Sequence, residues 1–404
     1  PPLNETALVM NRTIYRNGTI LLADRALDGG EVVVSAGRIE SVRESPGPAD
    51  GARVIDLAGG YLAPGYVDLH VHGGAGADFM DGTDDAFRTA CRAHLRHGTT
   101  SLLPTTTVAG HGRHLAFLDV CRRLKRAGTG GARILGAHFY GPYFAPEARG
   151  CHPAAALRPP SPDEYEQYLA YADCVTTATV APELPGAREF VLACRRRGVR
   201  CNVGHSYATF DQTLDAVGWG VRHVDHLFCA MSDRARLRQS QTYPMRGGVM
   251  EATLYHDGLT TEVIADGKHL QRELLMLAHK VKGPDRLALV TDCNRALDMP
   301  DGEYVFGPRD DGEPILRRDG VGLMPDGKAL ASGVVGLDDC VRNFHRLTGV
   351  PLVEVVRMAS LTPARIAGRD DDLGSIAPGK RADLLVLDRE LNVRAVYLDG
   401  GAVI

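Results

Sequence analysis

Short apolar runs alternate with amphipathic helical stretches over roughly 300 residues, and this alternation restricts the chain to parallel βαβ units. The runs are Gly65 to Leu69, Thr100 to Pro104, Ile134 to Phe139, Val175 to Val180, Arg200 to Val203, His223 to Leu227, Thr261 to Ile264 and Leu287 to Val290. About eight strands in that length is what a closed (β/α)8 TIM-like barrel, an α/β fold, requires. An open doubly wound sheet is the alternative. The barrel is preferred because polar residues recur at the strand ends and no G-x-G-x-x-G follows the first run.

Both chain ends read differently. Thr13-Ile14-Tyr15, Ile20-Leu21-Leu22, Val32-Val33-Val34 and Arg38-Ile39 are β-branched runs broken by Asn17-Gly18 and Gly29-Gly30, and the last thirty or so residues repeat the pattern at Ala382 to Asp388 and Ala395 to Leu398. The expected organisation is a small β-sandwich domain built from residues 1–62 and 369–404, flanking a catalytic barrel at 63–368.

A chain of 404 residues with 44 % hydrophobic and 24 % charged residues can bury a large core. A net charge of -4, without a run of five or more like charges, provides no field for nucleic acid, and no apolar stretch of about 18 residues suits a membrane span. Small molecules are the expected partners. The nine cysteines are odd in number, scattered and never spaced C-x-x-C, which argues against a disulfide framework and a cysteine zinc site. With no basic-then-apolar leader at the start, the expected location is cytoplasmic, and the sequons at Asn4, Asn11 and Asn17 are read as chance.

The first run leads into His70-Val71-His72-Gly73-Gly74. Alternate strand residues face one side, so both imidazoles can reach one cation at about 2.1 Å. Two later runs also end in histidine, at Gly204-His205 and Asp225-His226, and Leu287 to Val290 ends at Thr291-Asp292. Asp292 has an ordinary reading as a helix N-cap. Beside a bound cation it can also act as a ligand and take a proton from water. Neutral imidazoles with one carboxylate suit zinc or another borderline divalent ion.

With these residues, the chain resembles the amidohydrolase superfamily, and within it the N-acetylglucosamine-6-phosphate deacetylases. The resemblance rests on Pro64 to Gly74, Gly141-Pro142-Tyr143-Phe144, Gly150-Cys151-His152-Pro153, Ala181-Pro182-Glu183, Gly204-His205-Ser206, His226 to Met231, Ile264 to His269, Thr291-Asp292 and Leu373 to Leu384. It implies metal-dependent deacetylation of an N-acetylated amino sugar such as N-acetylglucosamine-6-phosphate, through a metal-activated water. Asp292 would be general base and then acid, and His152 would polarise the amide carbonyl. His70 and His72 would hold a metal, His205 and His226 would be ligands or near-ligands, and His269 would touch the sugar. A homodimer is implied as well.

Three departures from the family's pattern matter. Tyr140-Gly141-Pro142 stands where the family has Glu-Gly-Pro, and that glutamate is a metal ligand. A neutral phenol is a poor zinc ligand. The expectation is therefore one divalent ion, Zn2+, per chain, held by His70, His72, His205 or His226, and Asp292. Cys229, next to Ala230, replaces an asparagine, and the family's phosphate-gripping Arg-Glu-Pro-Gly becomes Met245-Arg246-Gly247-Gly248 after an insertion carrying Arg234, Arg236 and Arg238. The expected substrate contacts are His269, Cys229, Ala230, Tyr140 and Arg246. Cyclic amide hydrolysis, heterocycle deamination and a non-catalytic sugar-binding relative are the alternatives.

Overall fold

The computed structural model describes residues 12–239 and 243–404. Asn4 and Asn11 of the sequons lie outside the described residues. The parallel strands are β1 (Tyr66–Val71), β2 (Thr99–Pro104), β3 (Arg133–Ile134), β4 (Ala137–Tyr140), β5 (Val175–Val180), β6 (Arg200–Val203), β7 (His223–Val224), β8 (Thr260–Ile264) and β9 (Leu287–Val290). β1, β2 and β3 are neighbours, and β4 to β9 follow in sequence order. The expected run Ile134 to Phe139 is thus split into two strands at Leu135-Gly136. Gly136 is required there, because a Cβ would lie 2.1 Å from Thr176 Oγ1 and 2.6 Å from Cys174 O.

The split does not separate the two groups of strands. Leu135 N–H donates to Leu102 O (3.0 Å) and Thr106 N–H to His138 O (3.1 Å). At the other side Val71 bridges Cys293 in parallel, while His72 and Gly73 N–H both donate to Cys293 O at 2.8 and 3.0 Å. The chain is an α/β protein whose parallel sheet curls until its first and last strands touch at their C-terminal ends.

Amphipathic helices follow the strands. In Asp84–Arg96 the Thr83 side chain accepts from Ala86 N–H, Asp84 and Asp85 occupy the first turn, and Phe87, Ala90 and Cys91 are buried. Phe87 packs edge-on against Phe79 at 4.8 Å. Truncating it to alanine would cost about 3–5 kcal/mol.

The chain ends form two sheets. One has the order Arg38–Arg43, Glu31–Ser35, Arg12–Arg16, Arg53–Asp56. The other runs Gly401–Ala402, Val393–Leu398, Leu384–Leu387, Tyr61–Pro64, Thr19–Leu21, Ala26–Asp28, and so interleaves N- and C-terminal strands. Tyr15, Val34, Leu62, Leu384 and Tyr397 share one buried cluster. Strand Tyr61–Pro64 spans the expected boundary at 62/63 and leads through Gly65 directly into β1. A three-stranded antiparallel insert that sequence reading did not anticipate, Gly302–Phe306, Glu313–Arg318 and Val321–Leu323, follows β9.

Candidate active site

The histidines and aspartate found in the sequence meet at the C-terminal ends of the parallel strands. His70 and His72 come from the end of β1, Tyr140 from β4, and His205, His226 and Asp292 from the turns after β6, β7 and β9. His205 (φ 46°), His226 (φ 20°) and Asp292 (φ 47°) take left-handed backbone angles. Such angles cost non-glycine residues on the order of 1–3 kcal/mol and persist only where the surroundings fix them. Here Ala145 N–H donates to His205 O (2.9 Å) and Gly333 N–H to Asp292 O (2.8 Å).

His70, His72 and Asp292 form a compact group whose ligand atoms lie within 4.8 Å of one another. His72 Nε2 is 3.1 Å and His70 Nε2 is 3.6 Å from Asp292 Oδ1. His70 Nδ1 lies 2.7 Å from Glu262 Oε1. A carboxylate only accepts, so Nδ1 carries a proton and Nε2 is directed toward a second carboxylate. That Nε2 is buried with no hydrogen-bond partner among the described residues. A buried ring nitrogen facing a carboxylate calls for a cation between them.

The electrostatics agree. Burial alone would lower the pKa of His70, but the hydrogen-bonded Glu262, with Asp292 and Asp225, raises it to about 9, so the ring is held for a positive charge and a metal binding at Nε2 would displace a proton there. Burial would likewise raise Asp292, yet the His72 bond and the nearby His70 and His226 hold it well below the usual carboxylate range. The pocket floor therefore holds excess negative charge.

Its other walls stay neutral. Burial, then the neighbouring His72, pushes His152 far down, and burial followed by His152 and His226 does the same to His205. Val108 N–H donates to His152 Nδ1 (3.3 Å), so the His152 proton sits on Nε2. His205 Nδ1 donates to Ala148 O (2.7 Å), which leaves its Nε2 as an acceptor. His226 Nε2 is 2.6 Å from the Tyr140 hydroxyl and is not part of the compact group. Burial, with Asp292 and Asp225 adding to it, keeps Tyr140 protonated.

A cavity of about 390 Å³ opens over these groups and is lined by His72, Tyr140, His152, His205, His226 and Asp292. Of the expected substrate contacts, His269, Cys229 and Ala230 also line it. His269 Nδ1 is bonded to Asp266 Oδ2 at 2.7 Å, which leaves its other nitrogen for the cavity. Burial pushes the Cys229 thiol up to about 12. Arg246 is exposed and does not line the cavity, whereas Arg236 does. A larger cavity of about 550 Å³ opens at the strands' other ends, but its floor groups pair with one another, Thr177 with Asn202 and His223 with Thr260. No reactive groups converge there among the described residues.

Sequence reading missed Glu262, His223, His138 and Phe306. A glutamate inside the apolar run Thr261-Glu262-Val263-Ile264 was the available signal for the first. Glu262 also takes a contact from His223 Nε2 (3.1 Å), and the His138 ring packs 4.9 Å from that of His70. Phe306 lies against His72 with ring centres 5.0 Å apart and comes from the unanticipated insert, so no local pattern marked it.

Comparison with known proteins places this site in context. A profile of the Amidohydrolase family matches residues 61–403. The N-acetylgalactosamine-6-phosphate deacetylase of Escherichia coli O157:H7 is 33 % identical, with 96 % of this chain and 98 % of that protein covered. The human N-acetylglucosamine-6-phosphate deacetylase is 33 % identical over 97 % of this chain and 94 % of its own length. The Mycobacterium smegmatis N-acetyl-D-glucosamine-6-phosphate deacetylase, solved as an aspartate-to-alanine mutant in complex with N-acetyl-D-glucosamine-6-phosphate, superposes with a TM-score of 0.89 at 31 % identity, covering 98 % of this chain and 100 % of that one. A family match over most of the chain, with relatives this similar along nearly its whole length, means that the chain belongs to the amidohydrolase family.

Proposed function

We propose that this chain is a metal-dependent deacetylase of N-acetylated amino-sugar 6-phosphates, built on a (β/α)8 barrel beside a small β-sandwich formed by both chain ends. The observation that carries the reading is the buried His70 Nε2, without a hydrogen-bond partner among the described residues and facing Asp292 at 3.6 Å beneath a cavity of about 390 Å³. The names of the relatives support the substrate class, and both the gluco and the galacto sugar occur among them.

His70, His72 and Asp292 would hold one divalent ion, with zinc suited to this donor set. Such an ion supplies Lewis acidity and brings water within reach of deprotonation near neutral pH. Asp292, ionised and anchored by His72, is placed to accept the proton of the attacking water and to return it to the departing amine. His152, neutral with its proton on Nε2, can donate to the amide carbonyl. His269, fixed by Asp266, reaches the sugar from the cavity wall, and Arg236 offers a cation for the phosphate. A cytoplasmic homodimer belongs to the same reading, supported by nine unpaired cysteines and by Met276 and Leu277 exposed on one helix. No described helix is long and apolar enough to cross a membrane.

The test is acetate release from N-acetylglucosamine-6-phosphate, N-acetylgalactosamine-6-phosphate and the unphosphorylated sugars, with and without a chelator. Chelator-sensitive turnover of a 6-phosphate is expected. No acetate from any of them by zinc-loaded protein would overturn the reading.

A further inference from the structure

We propose that Tyr140 is a catalytic residue whose neutral phenol, held in place by His226, donates its O–H to the carbonyl oxygen of the scissile amide as negative charge develops there. The inference rests on the deacetylase reading and adds a second donor to His152.

One proton decides which group donates. Tyr140 is buried at the end of β4, and its hydroxyl is 2.6 Å from His226 Nε2. The His226 ring is buried as well. Its Nδ1 is buried with no partner among the described residues. A proton on Nδ1 would leave a buried N–H donor unmet, whereas a proton on Nε2 leaves only an unfilled acceptor, the less costly arrangement. Nε2–H therefore donates to the phenol oxygen. The Tyr140 O–H is then not needed by His226 and is free for the cavity that Tyr140 lines.

The surroundings select a donor there. The Tyr140 ring packs against those of His70 (4.4 Å), His205 (5.2 Å) and His152 (5.5 Å), which fixes its orientation. His152 Nε2–H and Tyr140 O–H are thus two neutral donors on the cavity that the carboxylate handling the proton also lines. Tyr140 keeps its proton throughout. As the water oxygen bonds to the carbonyl carbon, the C=O π pair moves onto oxygen and the two donors hold it. When the C–N bond breaks, that pair returns, acetate leaves, and the amine takes its proton from Asp292.

Tyr140→Phe removes only the donor. With wild-type and variant protein loaded with zinc, kcat should fall about 10²–10³-fold. KM should stay within about threefold, and zinc per chain should be unchanged by elemental analysis. A methylphosphonamidate analogue of the tetrahedral state should lose affinity by a factor similar to that in kcat/KM, while binding of the amine product is unaffected. A His226 pair tests the same geometry if Tyr140→Phe does not fold. His226→Gln, which can still donate to the phenol oxygen, should keep kcat within about tenfold, and His226→Leu should lose it as Tyr140→Phe does, both with zinc retained. Near-normal kcat in Tyr140→Phe, or loss of zinc in any of these variants, would overturn the proposal. Wild-type protein that releases no acetate would instead overturn the deacetylase reading.

Discussion

His70 Nδ1 donates to Glu262 Oε1 across 2.7 Å, and that bond turns Nε2 of the same ring toward Asp292. Glu262 is buried, and its pKa is held far down by the bonds from His223 and His70 although burial works the other way. It therefore fixes both the tautomer and the basicity of His70. Glu262→Gln keeps an acceptor oxygen but loses the charge, and zinc affinity should drop about 10–100-fold. Competition with a chromophoric chelator measures this directly. Unchanged affinity would mean that Glu262 serves only to pair His223.

The compact group His70, His72 and Asp292 is large enough for one ion, and His226 faces Tyr140 instead. Elemental analysis should give close to one divalent ion per chain. His70→Ala and His72→Ala should each lose most of it, since each removes one of few ligands. Two tightly held ions per chain, or full occupancy in both alanine variants, would place the metal elsewhere.

Local patterns made part of this site legible. His70 and His72 stood out because strand alternation puts both on one face, and Asp292 because it ends an apolar run. The Tyr140–His226 contact joins residues 86 apart, and the His70–Glu262 contact joins residues 192 apart. Only the curl of the sheet brings such pairs together. The expected strand Ile134 to Phe139 was right in place but not in continuity, because the break depends on Thr176 crowding Gly136 from another strand. Arg236 and Arg246 could not be told apart by sequence, since no local pattern marks which of them lines the cavity.

That distinction can be measured. Arg236 lines the cavity and donates to Met231 O at 3.0 Å, which leaves the rest of its guanidinium for an anion. A charge-assisted hydrogen bond contributes about 1.5–3 kcal/mol. Arg236→Ala should accordingly raise KM for a 6-phosphate roughly 10–100-fold and leave an unphosphorylated sugar unaffected. Arg246→Ala should change neither by more than about threefold. The reverse pattern would restore Arg246 as the phosphate contact.

A group with metal-like spacing away from the site, His97, Asp338 and Asp339, is explained by a proton. His97 bonds Asp298 through Nε2 (2.9 Å) and Asp338 through Nδ1 (2.9 Å), so both nitrogens donate and no lone pair remains for an ion. Burial lowers the pKa of His97, but the two carboxylates outweigh it and raise the value from 6.5 to about 10. A raised histidine pKa stabilises the fold fully below the unfolded value of 6.5, and this contribution fades as pH rises toward about 10. The thermal midpoint should therefore fall between pH 6.5 and 10 by the equivalent of about 1.5–3 kcal/mol more in wild type than in His97→Asn. Parallel curves for the two proteins would show that His97 is not the group responsible.

Asp292 separates chemistry from folding most directly. As a mere cap it could be replaced by asparagine, which caps about as well, at a cost of tenths of a kcal/mol. Here it follows β9 in a left-handed conformation, accepts from Ser332 Oγ at 3.3 Å, and lies 3.1 Å from His72 Nε2. An asparagine in its place would keep an acceptor oxygen but offer no basic one. If Asp292 takes the proton of the attacking water, Asp292→Asn should lose about 10²–10⁴-fold in kcat while its thermal midpoint stays near wild type. Because Asp292 is also a ligand in this reading, zinc content must be measured on the same sample and turnover assayed with zinc in excess. A folded, zinc-loaded Asp292→Asn protein with near-normal turnover would remove Asp292 from the proton path. A folded and zinc-loaded but inactive one would leave Asp292 as the group that moves the proton.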